Sequence, residues 1–391
     1  MAGSYIVAGA RTPIGKMSGA LASFSAADLG GLAIAAALQR AGVAPTDVEH
    51  VIMGQVLMAG QGQVPSRQAA VKAGIPMSVP AVNVNKVCLS GLNAIYLADQ
   101  MIQAGDADIV VAGGMESMTN APYLANGARG GFRYGNTELK DAIIADGLWC
   151  AFDACLMGLG TERYAGGGIT RQQQDDLAMK SNQRAAAAAD KLAEEIVPVS
   201  IPQRKGDPVV VARDEGVRAD TTMDTLGGLK PAFDKEGTIT AANASQISDG
   251  ASAVIVMSER AAKARGVTPL GQVVSYGMVA GPDSASLLTQ PSRAILKALD
   301  KVGMKVGDVN LFELNEAFAA VGIASMADLG IGDDIVNVNG GAIALGHPIG
   351  MSGNRLALTI LHELRRRGGG VGAAALCGGG GQGDALIVRT V

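Results

Sequence analysis

Residues 33–48, AIAAALQRAGVAPTDV, return as residues 294–309, AILKALDKVGMKVGDV, with seven positions identical and no gap. A second pair keeps the same order: Val82-Asn83-Val84-Asn85 in the first half of the chain and Val336-Asn337-Val338-Asn339 in the second. A repeat of this kind is the mark of one fold built twice. Length alone, 391 residues, says only that there are two or three domains. In each copy, helical stretches alternate with short runs that are apolar on both faces, the rhythm of an α/β protein whose parallel sheets are covered by helices. The first copy predicts a strand over 81–87, a helix over 89–104 closed by Gly105, and a strand over 109–112. The second predicts a strand over 335–339, a helix over 352–367 ended by Gly368, and a strand over 371–376. An insertion in the second copy, residues 340–350, contains His347.

From about 119 to 250 the composition turns polar and charged, and a capping box, Thr170 with Gln173, opens a helix. This stretch is too long for a loop and too irregular for a third copy, so it reads as an inserted domain. The expected division is therefore 1–118 with 251–268 as the N-terminal half, 119–250 as the insertion, and 269–391 as the C-terminal half.

Composition narrows the function. The 54 glycines are twice the ordinary share of about 7%. They follow no collagen period, and so point to tight turns and to backbones that approach a ligand or each other closely. A formal net charge of −4 gives no basic field for nucleic acid, and six Tyr, six Phe and one Trp are too few for a base-stacking platform. Four cysteines are too sparse for a disulfide scaffold, and Met1-Ala2-Gly3-Ser4-Tyr5 lacks the pattern of a secretion signal, so a reducing cytoplasm is the expected location. No apolar run reaches the roughly 18 residues of a membrane span.

Few residues offer chemistry. Cys88 falls where a strand ends and a helix begins, and the positive helix N-terminus would stabilise a thiolate there. Position alone leaves open the commoner state of a free cysteine, a small buried apolar residue. Of three histidines, His50 precedes a strand and His362 lies in a helix beside Glu363, both read as structural. His347 is fixed between Gly346 and Pro348, as a general base requires. Cys377 closes the last strand of the second copy and runs into Gly378-Gly379-Gly380-Gly381, whose bare backbone N–H groups could form an anion nest. The chain has no phosphate loop of the Gly-x-x-x-x-Gly-Lys type, and Gly158-Leu159-Gly160 lacks a third glycine because position 163 is arginine. Cys150 and Cys155 are not spaced for zinc and read as core cysteines, so no metal site is expected.

Taken together these blocks resemble the thiolases. Val84-Asn85-Lys86-Val87-Cys88-Leu89-Ser90-Gly91 is similar to the acyl-cysteine motif of that family, and Asn315-Glu316-Ala317-Phe318 to its NEAF motif. Gly346-His347-Pro348 is similar to its GHP motif, and Cys377-Gly378-Gly379 to its last block. The resemblance, from Arg11 to the C-terminus, implies a five-layered α-β-α-β-α core of two duplicated halves, a loop domain over the site, and a homodimer or homotetramer. It implies Cys88 as the acylated nucleophile, His347 as its base, and Cys377 as the acid and base at the substrate α-carbon. Asn315, through a water, with His347 would make one oxyanion site, and the backbone N–H groups of Cys88 and Gly379 the other. Acetyl-CoA, acetoacetyl-CoA and CoA would be the substrates and products, with no metal and no further cofactor.

For coenzyme A the same resemblance carries over Arg218, Ser245 and Thr225, the last where serine is common, and for the acyl pocket Met157 and Phe318. Leu156 stands where many biosynthetic members have histidine, and Gln246 where glycine is usual. The expected reaction is the reversible condensation of two acetyl-CoA molecules to acetoacetyl-CoA and CoA through an acyl-cysteine. A degradative 3-ketoacyl-CoA thiolase of broader chain length is the nearest alternative. A ketoacyl synthase would need a second catalytic histidine, and a non-catalytic acyl-CoA-binding scaffold would not need both cysteines, His347 and Asn315.

Overall fold

The computed structural model describes residues 3–391. Nine strands form its main sheet: β1 (Ser4–Arg11), β2 (His50–Gly54), β3 (Ala81–Val84), β4 (Ile109–Ser117), β5 (Ser248–Ser258), β6 (Gly271–Ala280), β7 (Leu311–Leu314), β8 (Val371–Gly378) and β9 (Gln382–Arg389). Across the sheet they run β7-β8-β9-β6-β1-β5-β4-β2-β3, and a short strand, Gly15–Lys16, pairs with β5. Within the sheet the strands of the two halves pair only where Tyr5 and Ile6 of β1 meet Gln272 and Gly271 of β6.

The duplication is visible in the order of pairing. In the first half β2 lies parallel to β4, and β4 and β5 are antiparallel, as are β5 and β1. In the second, β7 lies parallel to β8, and β8 and β9 are antiparallel, as are β9 and β6. The expectation of purely parallel sheets is thus corrected: each half is mixed. Apolar residues on both faces report that helices cover both faces, which holds whatever the direction of the strands.

Alternate side chains of each strand enter different layers. Val51, Met53, Val111 and Ile255 face outward against α1 (Ala26–Ala41) and α2 (Pro65–Lys72). Ile52, Val110, Ala112 and Val254 face inward against α3 (Ser90–Ala104). In the second half, Leu311, Ala374, Leu376 and Leu386 point into that same middle layer, where α6 (Ser352–Arg366) contributes Leu356, Ile360 and Leu364 beside α3. Phe312, Leu314, Ala373 and Ile387 point the other way, against α4 (Gln290–Asp300) and the end of α5 (Ala319–Leu329). The result is five layers, α-β-α-β-α.

Local signals hold at the helix ends. Ser25 caps α1 with Asp28, and Thr170 caps Arg171–Ala187 of the insertion with Gln173, each as a reciprocal capping box. Gly105 closes α3 in the left-handed conformation. Of the expected strands, one is shorter than predicted and one is absent. The 81–87 run stops at Val84 because the chain must turn, with Val87 at φ +50°. The 335–339 run keeps only one bridge, Phe312 to Val336, since Asn337 is left-handed at φ +46° and its side chain binds Leu314 N and O instead. The strand that returns to the sheet begins at Ser248, inside the polar stretch.

Part of the glycine excess has a location. The chain after His347 crosses the start of α3 and the ends of β2 and β4 in backbone contact. A Cβ on Gly54 would sit 2.6 Å from Ser90 C and 2.7 Å from Gly350 O, and one on Gly91 would sit 2.9 Å from Gly350 O and Met351 O. Only glycine permits this crossing of the two halves. No helix among the described residues is long and apolar enough to cross a membrane.

Candidate active site

The turn that presents Cys88 is held from several sides. Val87, a β-branched residue at φ +50°, occupies a conformation such residues rarely adopt. Its N–H donates to Asn85 Oδ1 at 3.1 Å, and its carbonyl accepts from Ser90 Oγ at 2.6 Å, while Ser90 Oγ accepts from Lys86 N at 2.8 Å. Lys86 Nζ reaches Asp384 of β9 at 2.7 Å, and Tyr276 of β6 donates to the same carboxylate at 2.6 Å. The turn of the first half is thereby bolted to the second.

His347 comes from the 340–350 insertion, which forms one helical turn, Ala342–Leu345, before it. Its backbone N–H lies 3.2 Å from both Gln246 O and Ser248 Oγ. Ser352 Oγ stands 2.6 Å from Nδ1 and donates its single proton to Pro348 O at 2.9 Å. It therefore accepts from the ring, which places the imidazole proton on Nδ1 and the lone pair on Nε2. Asn315 Nδ2 lies 3.3 Å from Nε2. Asn315 Oδ1 is buried with no hydrogen-bond partner among the described residues.

Cys88, Cys377, His347, Gly379, Met157, Ser245 and Phe318 border one cavity of about 50 Å³, closed further by Leu148, Leu287 and Ile349. Where one water needs about 10–15 Å³, this is room for a group of a few heavy atoms, such as an acetyl. Asn315 stands behind it, through His347. Arg218 and Thr225 do not border it. Both are exposed on the inserted segment, Arg218 N donating to Asn182 Oδ1 at 2.9 Å and Thr225 Oγ1 to Thr222 O at 2.8 Å. Leu156 precedes Met157 at the start of a helix, and Gln246 Nε2 donates to Gly216 O, Ile343 O and Ala344 O, joining the insertion to the turn before His347. His50 begins β2 and His362 lies within α6; neither borders the cavity. Cys150 and Cys155 are buried opposite one another in a two-residue ladder.

The charge states differ from the expectation for a helix N-terminus. Burial pushes the Cys88 thiol up from 9.0 to about 12, although the N–H groups of Cys88 and Gly379 are aimed at its sulfur and draw it back. The N-terminal dipole is outweighed, and the depressed thiol pKa expected from position is corrected: the resting group is a thiol. Burial, helped by the Arg355 charge, holds His347 down from 6.5 to about 3. Burial and the nearby Cys88 also raise the Cys377 thiol. The cavity thus holds two thiols beside a neutral imidazole, an arrangement that can relay a proton without a standing charge.

Four buried contacts escaped the sequence reading. Ser352 fixes the tautomer of His347, and Lys86 with Asp384 ties the Cys88 turn to β9. Glu316 accepts from Ser181 Oγ at 2.6 Å, Asn337 Nδ2 at 2.8 Å and Ile343 N at 3.1 Å, binding the insertion to the His347 turn. Glu116 is the fourth. An acid inside the apolar run Ile109–Met118 was the one available signal for it.

Family models agree with this architecture. A model described as thiolase, N-terminal domain, matches residues 4–260, and one described as thiolase, C-terminal domain, matches 267–390. A protein of Mycobacterium leprae named probable acetyl-CoA acetyltransferase is 56% identical over the full length of both chains. One of the same name from Mycolicibacterium smegmatis is 57% identical over 98% of this chain and all of its own. A Cupriavidus necator protein named acetyl-CoA acetyltransferase is 53% identical over 98% of each. With two matched models spanning both halves and relatives this similar over their whole length, the chain belongs to the thiolase family.

Proposed function

We propose that the protein is an acetyl-CoA C-acetyltransferase that condenses two acetyl-CoA molecules to acetoacetyl-CoA and CoA, reversibly and without a metal or further cofactor. The observation that carries this reading is the single small cavity in which thiols from both halves meet a neutral imidazole and two backbone N–H groups. Relatives named for the same activity support it.

In the first half-reaction Cys88 Sγ attacks the acetyl carbonyl as its proton passes to His347 Nε2, and the CoA thiolate leaves with the proton of Cys377. Splitting the transfer through a thioester keeps each step feasible. The N–H groups of Cys88 and Gly379 bind the carbonyl oxygen as it gains charge. In the second, the Cys377 thiolate removes an α-proton of a second acetyl-CoA, whose enolate oxygen is held by protonated His347 and, through a water, by Asn315. The carbanion attacks the acetyl-cysteine, and the departing Cys88 thiolate recovers its proton from His347. Met157 and Phe318 would bound the acyl group, with Ser245, Arg218 and Thr225 along the path of coenzyme A. We further infer a division at 1–118 with 251–268, 119–250 and 269–391, and a homodimer or homotetramer in the cytoplasm. Five of the thirteen aromatics, Tyr123, Phe132, Tyr134, Trp149 and Phe152, are exposed on one stretch of the insertion, and β3 is an edge strand with Val82 exposed. Both features favour association with further copies.

The test separates the thiols. Cys377→Ala should keep measurable exchange of labelled CoA into acetyl-CoA, since the CoA thiolate can leave and take its proton from water, while losing acetoacetyl-CoA synthesis by about 10²–10⁴-fold, since only condensation breaks a C–H bond. Cys88→Ala should lose both. Synthesis retained in Cys377→Ala would move proton transfer to another group. Thiolysis of a C10 3-ketoacyl-CoA as fast as that of acetoacetyl-CoA would establish the broader, degradative reading.

A further inference from the structure

We infer that Glu116 is a positioning residue for acyl transfer: its carboxylate clamps the loop that carries His347 to the loop that backs Cys88, and so sets the spacing of the two groups. Glu116 lies near the end of β4 and is fully buried. Its Oε2 accepts from Val56 N at 3.0 Å and from Gly350 N at 2.9 Å, and its Oε1 from Leu57 N at 3.1 Å. Gly350 is three residues beyond His347, with Pro348 stiffening the link. Val56 and Leu57 belong to the apolar cluster, with Ile349, against which Cys88 packs. The same carboxylate therefore ties the wall that carries His347 and Ile349 to the cluster that backs Cys88.

Glu116 has no ion-pair partner among the described residues; Asp249 on the neighbouring strand repels its charge, and its own charge in turn raises the Cys88 thiol. A buried carboxylate without a cation is costly, and burial pushes its pKa from 4.5 up to about 7. Its oxygen acceptors are what the site uses. The loops it joins cannot adjust freely, because Gly350 also crosses Gly54 and Gly91 in backbone contact. A small change in the reach of the carboxylate must move one loop relative to the other.

This inference rests on the proposed roles of Cys88 and His347, and the experiment keeps the two apart. Exchange of labelled CoA into acetyl-CoA would be measured on the full-length protein, per folded protein, for Glu116→Asp, Glu116→Gln, Cys88→Ala and His347→Ala. Aspartate keeps the charge but draws the carboxylate back by a methylene, so it cannot span both loops, whereas glutamine keeps the length and, on its one carbonyl oxygen, the bonds from Val56 N and Gly350 N, losing only that from Leu57 N. Glu116→Asp should lower kcat about 10²-fold with KM within about threefold, as displacement of a reacting group by about 1 Å does. Glu116→Gln should lose less, roughly three- to tenfold, an order a purely electrostatic role would reverse. A residue that only supports the fold would change the folded fraction and leave kcat per folded protein unmoved. If Glu116→Asp fails to fold, the loss in kcat for Glu116→Gln carries the test alone. Wild-type kcat in whichever variants fold, or Asp more active than Gln, overturns the inference while loss in Cys88→Ala and His347→Ala leaves the underlying reading intact. Exchange retained in those two overturns both.

Discussion

Replacing Ser352 by alanine tests the tautomer on which the proposed acyl transfer depends. The hydroxyl receives the His347 Nδ1 proton at 2.6 Å and passes its own to Pro348 O at 2.9 Å. Without it, Nδ1–H has no acceptor in a residue only 5% exposed. A buried donor left unsatisfied costs about 1–3 kcal/mol, and that cost falls on the Nδ1–H tautomer alone. The Nε2–H tautomer has an acceptor ready, because a flip of the Asn315 amide exchanges Nδ2, now 3.3 Å from Nε2, for the unpartnered Oδ1. At about 1.4 kcal/mol per tenfold, the ratio of the Nδ1–H to the Nε2–H tautomer falls by roughly five- to 140-fold. Only the Nδ1–H form can take the Cys88 proton, so kcat for CoA exchange should fall, by up to that factor. KM for acetyl-CoA should hold, since Ser352 does not border the cavity. The assay is steady-state exchange of labelled CoA, with thermal unfolding to show that the variant is folded. A kcat within twofold of wild type, or a loss confined to KM, would refute the tautomer argument.

Three further outcomes are expected. Because burial lifts the Cys88 thiol to about 12, the thiolate fraction keeps rising with pH throughout the working range, and alkylation of Cys88 by iodoacetamide should quicken about tenfold per pH unit from 7 to 10; a plateau at or below pH 8 would mean a standing thiolate. The neutral His347, protonated only near 3, imposes no loss of acyl transfer as pH falls from 7 to 5. Gly54→Ala should unfold at markedly lower temperature, by about 3 kcal/mol or more of stability, because its Cβ would meet three backbone atoms at 2.6–2.7 Å that cannot move apart separately; a wild-type Tm would show that the crossing of the halves is loose.

The sequence by itself determined what is local or repeated. The helix start at Thr170 and the stop at Gly105 are written in neighbouring residues, the doubled 33–48 segment announces two similar halves, and the blocks around Cys88, Asn315, His347 and Cys377 carry the family resemblance. What depended on distant neighbours was decided only by the tertiary structure. Strand direction was one such matter, because helices on both faces give parallel and antiparallel strands the same apolar pattern. The ionisation of Cys88 was another: the helix N-terminus is visible in the sequence, but the burial that outweighs it comes from residues of both halves. The ties that hold the site join residues far apart in the chain, Lys86 to Asp384 across 298 positions and Glu116 to Gly350 across 234. A buried acid or a serine at a helix start looks ordinary until the fold brings its partner, because hydrogen-bond geometry is a property of the packed chain and has no period along it.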